Sequence, residues 1–247
     1  MNHALDTAMT PIWALPSSLW IALGLTLRLA AVSTLVLMLV VVPLGWWLAT
    51  SRSRVALVLE IVVSLPLVLP PTVIGFYLLL LLSPQHLIGH WWQVLFGQTL
   101  VFSFAGLVVG SCVYSLPFAM QPVLAAFRML RPEIAHAAYS LGMTSGQAFR
   151  HIFLPLSKAG LYSGAILAFA HTIGEFGVVL MLGGGIPGIT RVASIALYDT
   201  AQQLDYPDAH GFALLLLAVS FGLLCATTAL QKWQERWRQT GNFVVRK

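Results

Sequence analysis

The sequence predicts an all-α, polytopic membrane protein with five transmembrane helices, and three observations point there. Of 247 residues, 58% are hydrophobic and only 9% charged, whereas a soluble domain carries about 25% charged residues. The mean hydropathy is +0.86. Apolar stretches recur at roughly the 20-residue length that crosses a hydrocarbon core. Together these exclude a disordered chain, a disulfide scaffold and an ordinary soluble enzyme. Cys112 and Cys225 lie within apolar runs and read as inert buried thiols.

Taken in order, residues 1–18 carry no Lys or Arg, so no cleavable signal peptide is expected. Their short apolar piece around Trp13 and Leu15 suits the membrane interface. Span one covers Leu19–Ala49. Span two covers Val55–Leu82 and is interrupted near its middle by Pro66, Pro70 and Pro71, each of which lacks an N–H and breaks the local ladder. Span three covers Leu100–Leu124, span four Ala159–Leu182 and span five Phe212–Leu230. The transmembrane domain is therefore 19–230, followed by a basic tail, 231–247.

The charges orient these spans. Eleven of the 13 basic residues fall in the loop after span one, the loop after span three and the tail. The opposite loops carry Asp6, Asp199, Asp205 and Asp208. The positive-inside rule then puts the N-terminus outside and the C-terminus in the cytoplasm of an inner-membrane protein. Arg28, near the outer end of span one, is expected to snorkel toward the headgroups. Five spans without an internal repeat suit a subunit that builds its pore by pairing with a second copy.

The inward loop between spans three and four, about 131–155, is the most informative segment. Pro132 suits a first helical position and Glu133 the positive end of the helix dipole. Ile134, Ala137, Ala138 and Leu141 fall on one helical face, and Gly142 is placed to end the helix. Thr144 and Gln147 have capping-box spacing for a second helix. Composition alone leaves open whether the first helix lies on the membrane or docks a partner. The pattern Ala137-Ala138-x3-Gly142-x9-Ile152-x-Leu154-Pro155 resembles the E-A-A loop of ABC-importer permeases, with His136 standing where that family has Glu. The resemblance implies a type I permease fold and a coupling helix, with Glu133, His136, Ala137, Ala138 and Gly142 meeting an ATPase subunit.

Two further stretches resemble molybdate permeases: Leu65–Gly75, and Ala168–Gly177, followed by Ile186–Arg191, with the Gly-Glu-Phe-Gly element that sulfate permeases share. The implied cargo is molybdate or tungstate, with sulfate or thiosulfate as the alternative. The implied partners are a second copy, two cytoplasmic ATPase subunits, an extracytoplasmic oxyanion-binding protein and the bilayer, with no nucleic acid. ATP and magnesium belong to the ATPase partner, because this chain has no G-x-x-x-x-G-K-[ST] sequence. No metal site is expected; His86 and His90 read as ordinary loop histidines.

Inside the membrane, ionisable residues are functional candidates. His171 and Glu175, four apart in span four, are expected to pair on one helical face. The pair reads as structural neutralisation, or as a proton relay in a secondary transporter of another class. The span-two prolines must be buried in protein or line a wet cavity. If they border the path, hydroxyls at Ser64, Thr72, Ser115 and Thr172 are candidate donors to an oxyanion.

Overall fold

The computed structural model describes residues 17–130 and 132–242; among them all regular structure is helical. Residues 1–16, Arg131 and 243–247, and with them most of the N-terminal segment and the tip of the basic tail, lie outside the described residues. Helix α1 (Ser17–Thr50) is one continuous apolar helix that tolerates Pro43. Helix α2 (Arg54–Ser64) starts where the Ser53 hydroxyl accepts from the Ala56 N–H at 3.1 Å. It gives way at Pro66 to a 3-10 turn, Leu65–Leu67. Helix α3 (Pro71–Leu82) restarts with Pro71 at its first position, where a missing N–H costs no bond. The two halves of span two meet at 114°.

Helix α4 (Leu87–Phe96) ends at Gly97, whose φ of 68° needs glycine. Helix α5 (Phe104–Arg128) is capped by Ser103. Helix α6 (Pro132–Ser140) and α7 (Ser145–Leu156) form the loop between spans three and four. The capping box is present: the Gln147 N–H donates to the Thr144 hydroxyl, and the Thr144 N–H to Gln147 Oε1. A π-helical turn, Phe149–Phe153, widens α7. Helix α8 (Lys158–Gly174) leaves α7 at 71°. Then follow α9 (Gly177–Gly183), α10 (Ala193–Gln202) and α11 (Tyr206–Asn242).

Among the described residues, three helices are long and apolar enough to cross a membrane, or up to five if each bent pair is one span. Three expectations need correction. Span four is not one helix to Leu182 but breaks after Gly174. The fifth stretch runs further both ways, as α11. Helices α4 and α10 lie where the apolar pattern predicts only loops, because ten residues are too few to register as a span.

Helices α1, α5 and α8 pack at the centre. Leu37, Val41, Met120, Val123, Phe127 and Ala168 fill the space between them. Lipid is as apolar as these side chains, so close packing of small residues holds the helices together. A Cβ on Gly164 would lie 2.7 Å from the Ala119 carbonyl oxygen, and one on Gly160 would collide with Ala126. Arg28 lies over the Phe104 ring, 4.7 Å from its centroid, tying α1 to the start of α5.

Candidate functional site

The break in span four organises the site. Glu175 adopts extended backbone (φ −68°, ψ 133°) between α8 and α9. Backbone freed at membrane depth must find partners. The Ser194 hydroxyl donates to the Glu175 carbonyl at 2.6 Å, and the Glu175 N–H donates to Thr172 at 3.3 Å. Ser194 is held in turn: Thr26 of α1 accepts from the Ala193 N–H at 2.8 Å, and so caps α10 from 167 residues away. Arg191, just before that helix, pairs with Asp199 within it at 2.9 Å.

The two broken spans meet here. A Cβ on Gly177 would lie 2.9 Å from Pro71 Cβ, and one on Gly75 would lie 2.9 Å from Met181 Cβ. Helices α3 and α9 therefore cross in near-contact, with their N-terminal ends together. Beside them opens a cavity of about 500 Å³, bordered by Pro71, Thr72, Tyr114, His171, Glu175 and Met181. Among the described residues, no Lys or Arg lines it. The N-terminal end of α3 contributes partial positive charge, and Thr72 and Tyr114 contribute hydroxyls.

The structure places the predicted residues unevenly. Pro71, Thr72, His171 and Glu175 border this cavity. Ser115 and Thr172 are buried and bond each other at 3.1 Å; Thr172 also donates to the Ala168 carbonyl. Ser115 further bonds His171 Nδ1 at 2.9 Å, so these hydroxyls orient the imidazole instead of lining the cavity. The ring stacks on Phe118, centroids 3.8 Å apart, and leans on Tyr114. The expected His171–Glu175 pair is not formed, because the helix that would align them ends at Gly174. Glu175 is 3% exposed, and neither carboxylate oxygen has a hydrogen bond. The Ser111 hydroxyl lies near the carboxylate but outside bonding geometry.

Ser64 lies elsewhere, donating to the Glu60 carbonyl at 2.9 Å. Pro66 is buried in the 3-10 turn and Pro70 precedes α3. Sequence reasoning passed over Glu60, although it is the sole charged residue in an apolar stretch from Val55 to Leu82. That isolation was the available signal. Glu60 grips Arg128 and, with Ser64, borders a second cavity of about 580 Å³.

In the loop between spans three and four, the single apolar face splits. Ile134 and Ala138 pack inward with Trp46, Ala148 and Phe153, whereas Ala137 and Leu141 are exposed. Glu133 is exposed too. Gly142 takes φ 77°, which turns the chain so that the Met143 N–H reaches the Ala138 carbonyl at 3.1 Å and closes the helix. The side chain of His136 lies outside the described residues.

Two broken helices meeting beside a cavity, and a helical loop with exposed Ala137 and Leu141, are features compatible with a transporter subunit. The family of binding-protein-dependent transport system inner membrane components matches residues 41–240, and the chain belongs to it. Among characterised relatives, it is 44% identical to the molybdenum transport system permease protein ModB of Azotobacter vinelandii, over 86% of this chain and 94% of that one. It is 32% identical to the sulfate transport system permease protein CysT of Escherichia coli (strain K12), over 76% and 68%. Among solved structures, a bacterial ABC transporter for the acidic polysaccharide alginate superposes with a TM-score of 0.72 at 17% identity, over 88% of this chain and 80% of that one. That likeness concerns the fold, which is the type I importer permease fold.

Proposed function

We propose that this chain is the membrane-spanning subunit of an ATP-driven importer for a tetrahedral oxyanion, molybdate or tungstate. The observation that carries the reading is the meeting of two broken spans at a cavity bordered by Thr72, Tyr114 and His171. The 44% identity to a molybdenum permease over most of both chains supports the cargo. A dianion passing this way meets hydroxyl donors and the positive end of α3, with no Lys or Arg among the described residues to trap it. Weak contacts suit a pathway, because tight ones prevent release. Its tetrahedral oxygens accept hydrogen bonds from Thr72 and Tyr114, and His171 is held by Ser115 for the same task.

ABC importer permeases act with ATPase subunits and an extracytoplasmic binding protein. Here two copies of the chain form the pore. The N-terminus lies outside, the C-terminus in the cytoplasm, and α6 docks on the ATPase through Ala137 and Leu141. ATP binding draws the ATPase pair together and shifts the permease between inward- and outward-facing states, because ATP binds one state better. Hydrolysis resets it. The 500 Å³ cavity is then one station on the anion's path. The test is uptake of labelled molybdate into proteoliposomes carrying permease, ATPase and binding protein. Uptake that excess sulfate does not compete with is expected. Equal competition by sulfate would reassign the cargo, and uptake without the ATPase would reassign the class.

A further inference from the structure

Glu60 and Arg128 form a two-pronged ion pair outside the central cavity. Arg128 Nη1 donates to Glu60 Oε1 at 2.9 Å and Nη2 to Oε2 at 2.6 Å. Such fork-to-fork pairing fixes orientation as well as distance. The partners are 68 residues apart and join two elements with opposite connections. Arg128 is the last residue of α5, and α6 starts at Pro132. Glu60 is one turn before Ser64, where α2 gives way to the 3-10 turn and the 114° bend into α3. The first residues of α3, Pro71 and Thr72, border the cavity.

Among the described residues, helix α2 packs lightly, through Ala56, Leu59 and Val63. Its buried residues are Ala56 and Val63, while Leu57, Val58, Ile61 and Val62 are exposed. A helix so lightly packed can pivot, and the ion pair is its polar tie to the end of α5. That end is firmly joined to the loop beyond it. The Trp46 ring lies 4.3 Å from Phe153 of α7, and 5.5 Å from both Phe127 of α5 and Phe149 of α7. Displacement of α6 and α7 therefore reaches Arg128 through packed rings, and Glu60 through the pair.

We propose that the Glu60–Arg128 pair is the link by which the docking loop moves the broken span two, so that ATP hydrolysis repositions Thr72 at the cavity. This rests on the ATP-driven reading above. Both are positioning residues, since neither borders that cavity. The Arg128 and Glu60 side chains are 48% and 30% exposed, so removing one partner strands no charge inside the packed core. Breaking the pair therefore leaves the fold standing and changes its movement.

The test uses the complete transporter in proteoliposomes, with molybdate uptake and ATP hydrolysis measured in the same vesicles. The wild-type complex separates the two ideas: if it hydrolyses ATP without importing molybdate, the cargo reading fails, and the same ratio is measured with sulfate. Glu60→Gln and Arg128→Gln are expected to assemble and hydrolyse ATP within about twofold of wild type, while uptake per ATP falls about tenfold. The swap Glu60→Arg/Arg128→Glu is expected to restore that ratio to within about threefold. Arg128→Lys keeps the charge without the fork and is expected to fall between. An unchanged ratio in the single variants overturns the proposal, as does an assembled swap that recovers nothing. If the Gln variants do not assemble, Arg128→Lys decides: a wild-type ratio overturns the link and a lowered ratio supports it.

Discussion

Span two turns at prolines, and span four turns without one. In span two the cause is local: Pro66 and the Pro70-Pro71 pair remove N–H groups, and the chain answers with a 3-10 turn and a fresh helix start. In span four the sequence Gly174-Glu175-Phe176-Gly177 contains no residue that forbids a helix. The break is held by distant partners: Ser194 on the Glu175 carbonyl, Thr26 on the start of α10, and the near-contact of Gly177 with Pro71. One break is written in covalent chemistry and the other in tertiary contacts, so they should respond differently to substitution.

The largest effect is expected where the two breaks touch. Gly177→Leu would drive a side chain into Pro71, which lies 2.9 Å from the position of a Cβ. Overpacking of that kind costs about 1–3 kcal/mol and displaces backbone. Uptake should be lost, and the thermal midpoint of the detergent-solubilised protein should drop. Wild-type uptake would mean that α3 and α9 need not approach this closely.

A smaller effect is expected at Ser194→Ala, which orphans the Glu175 carbonyl. An unsatisfied buried acceptor costs about 1–3 kcal/mol. Hydrogen exchange at residues 174–178 should quicken while span two stays protected. Equal quickening in both spans would show that the breaks are not independently held. The smallest effect is expected at Pro70→Ala. Pro66 and Pro71 still interrupt the helix, so uptake should stay within about twofold of wild type. A large loss there would mean that span two depends on each proline singly.

The same contrast explains what was legible in the sequence. Apolar length located the membrane helices, prolines marked the first break, and Gly142 and the Thr144 capping box marked the ends of α6 and α7. Each signal lies within a few residues of what it causes. The break at Glu175 is invisible locally because Ser194, which holds its carbonyl, and Thr26, which caps the helix of Ser194, lie in other helices. The 3.6-residue period predicted that His171 and Glu175 share a face, and that inference failed once the helix ended between them. Glu60–Arg128 is hidden for a related reason: Arg128 reads as a loop charge, and no local pattern joins residues 68 apart. Helix α4 fell below the length that registers as a span.

The central claim is that the anion passes where the two broken spans meet. Thr72→Cys tests it most directly, with Cys112 and Cys225 replaced by alanine so that the new thiol is unique. A small water-soluble thiol reagent should modify Thr72→Cys and abolish molybdate uptake by the reconstituted complex, and bound molybdate should slow the modification. Complete modification with uptake unchanged would contradict the account.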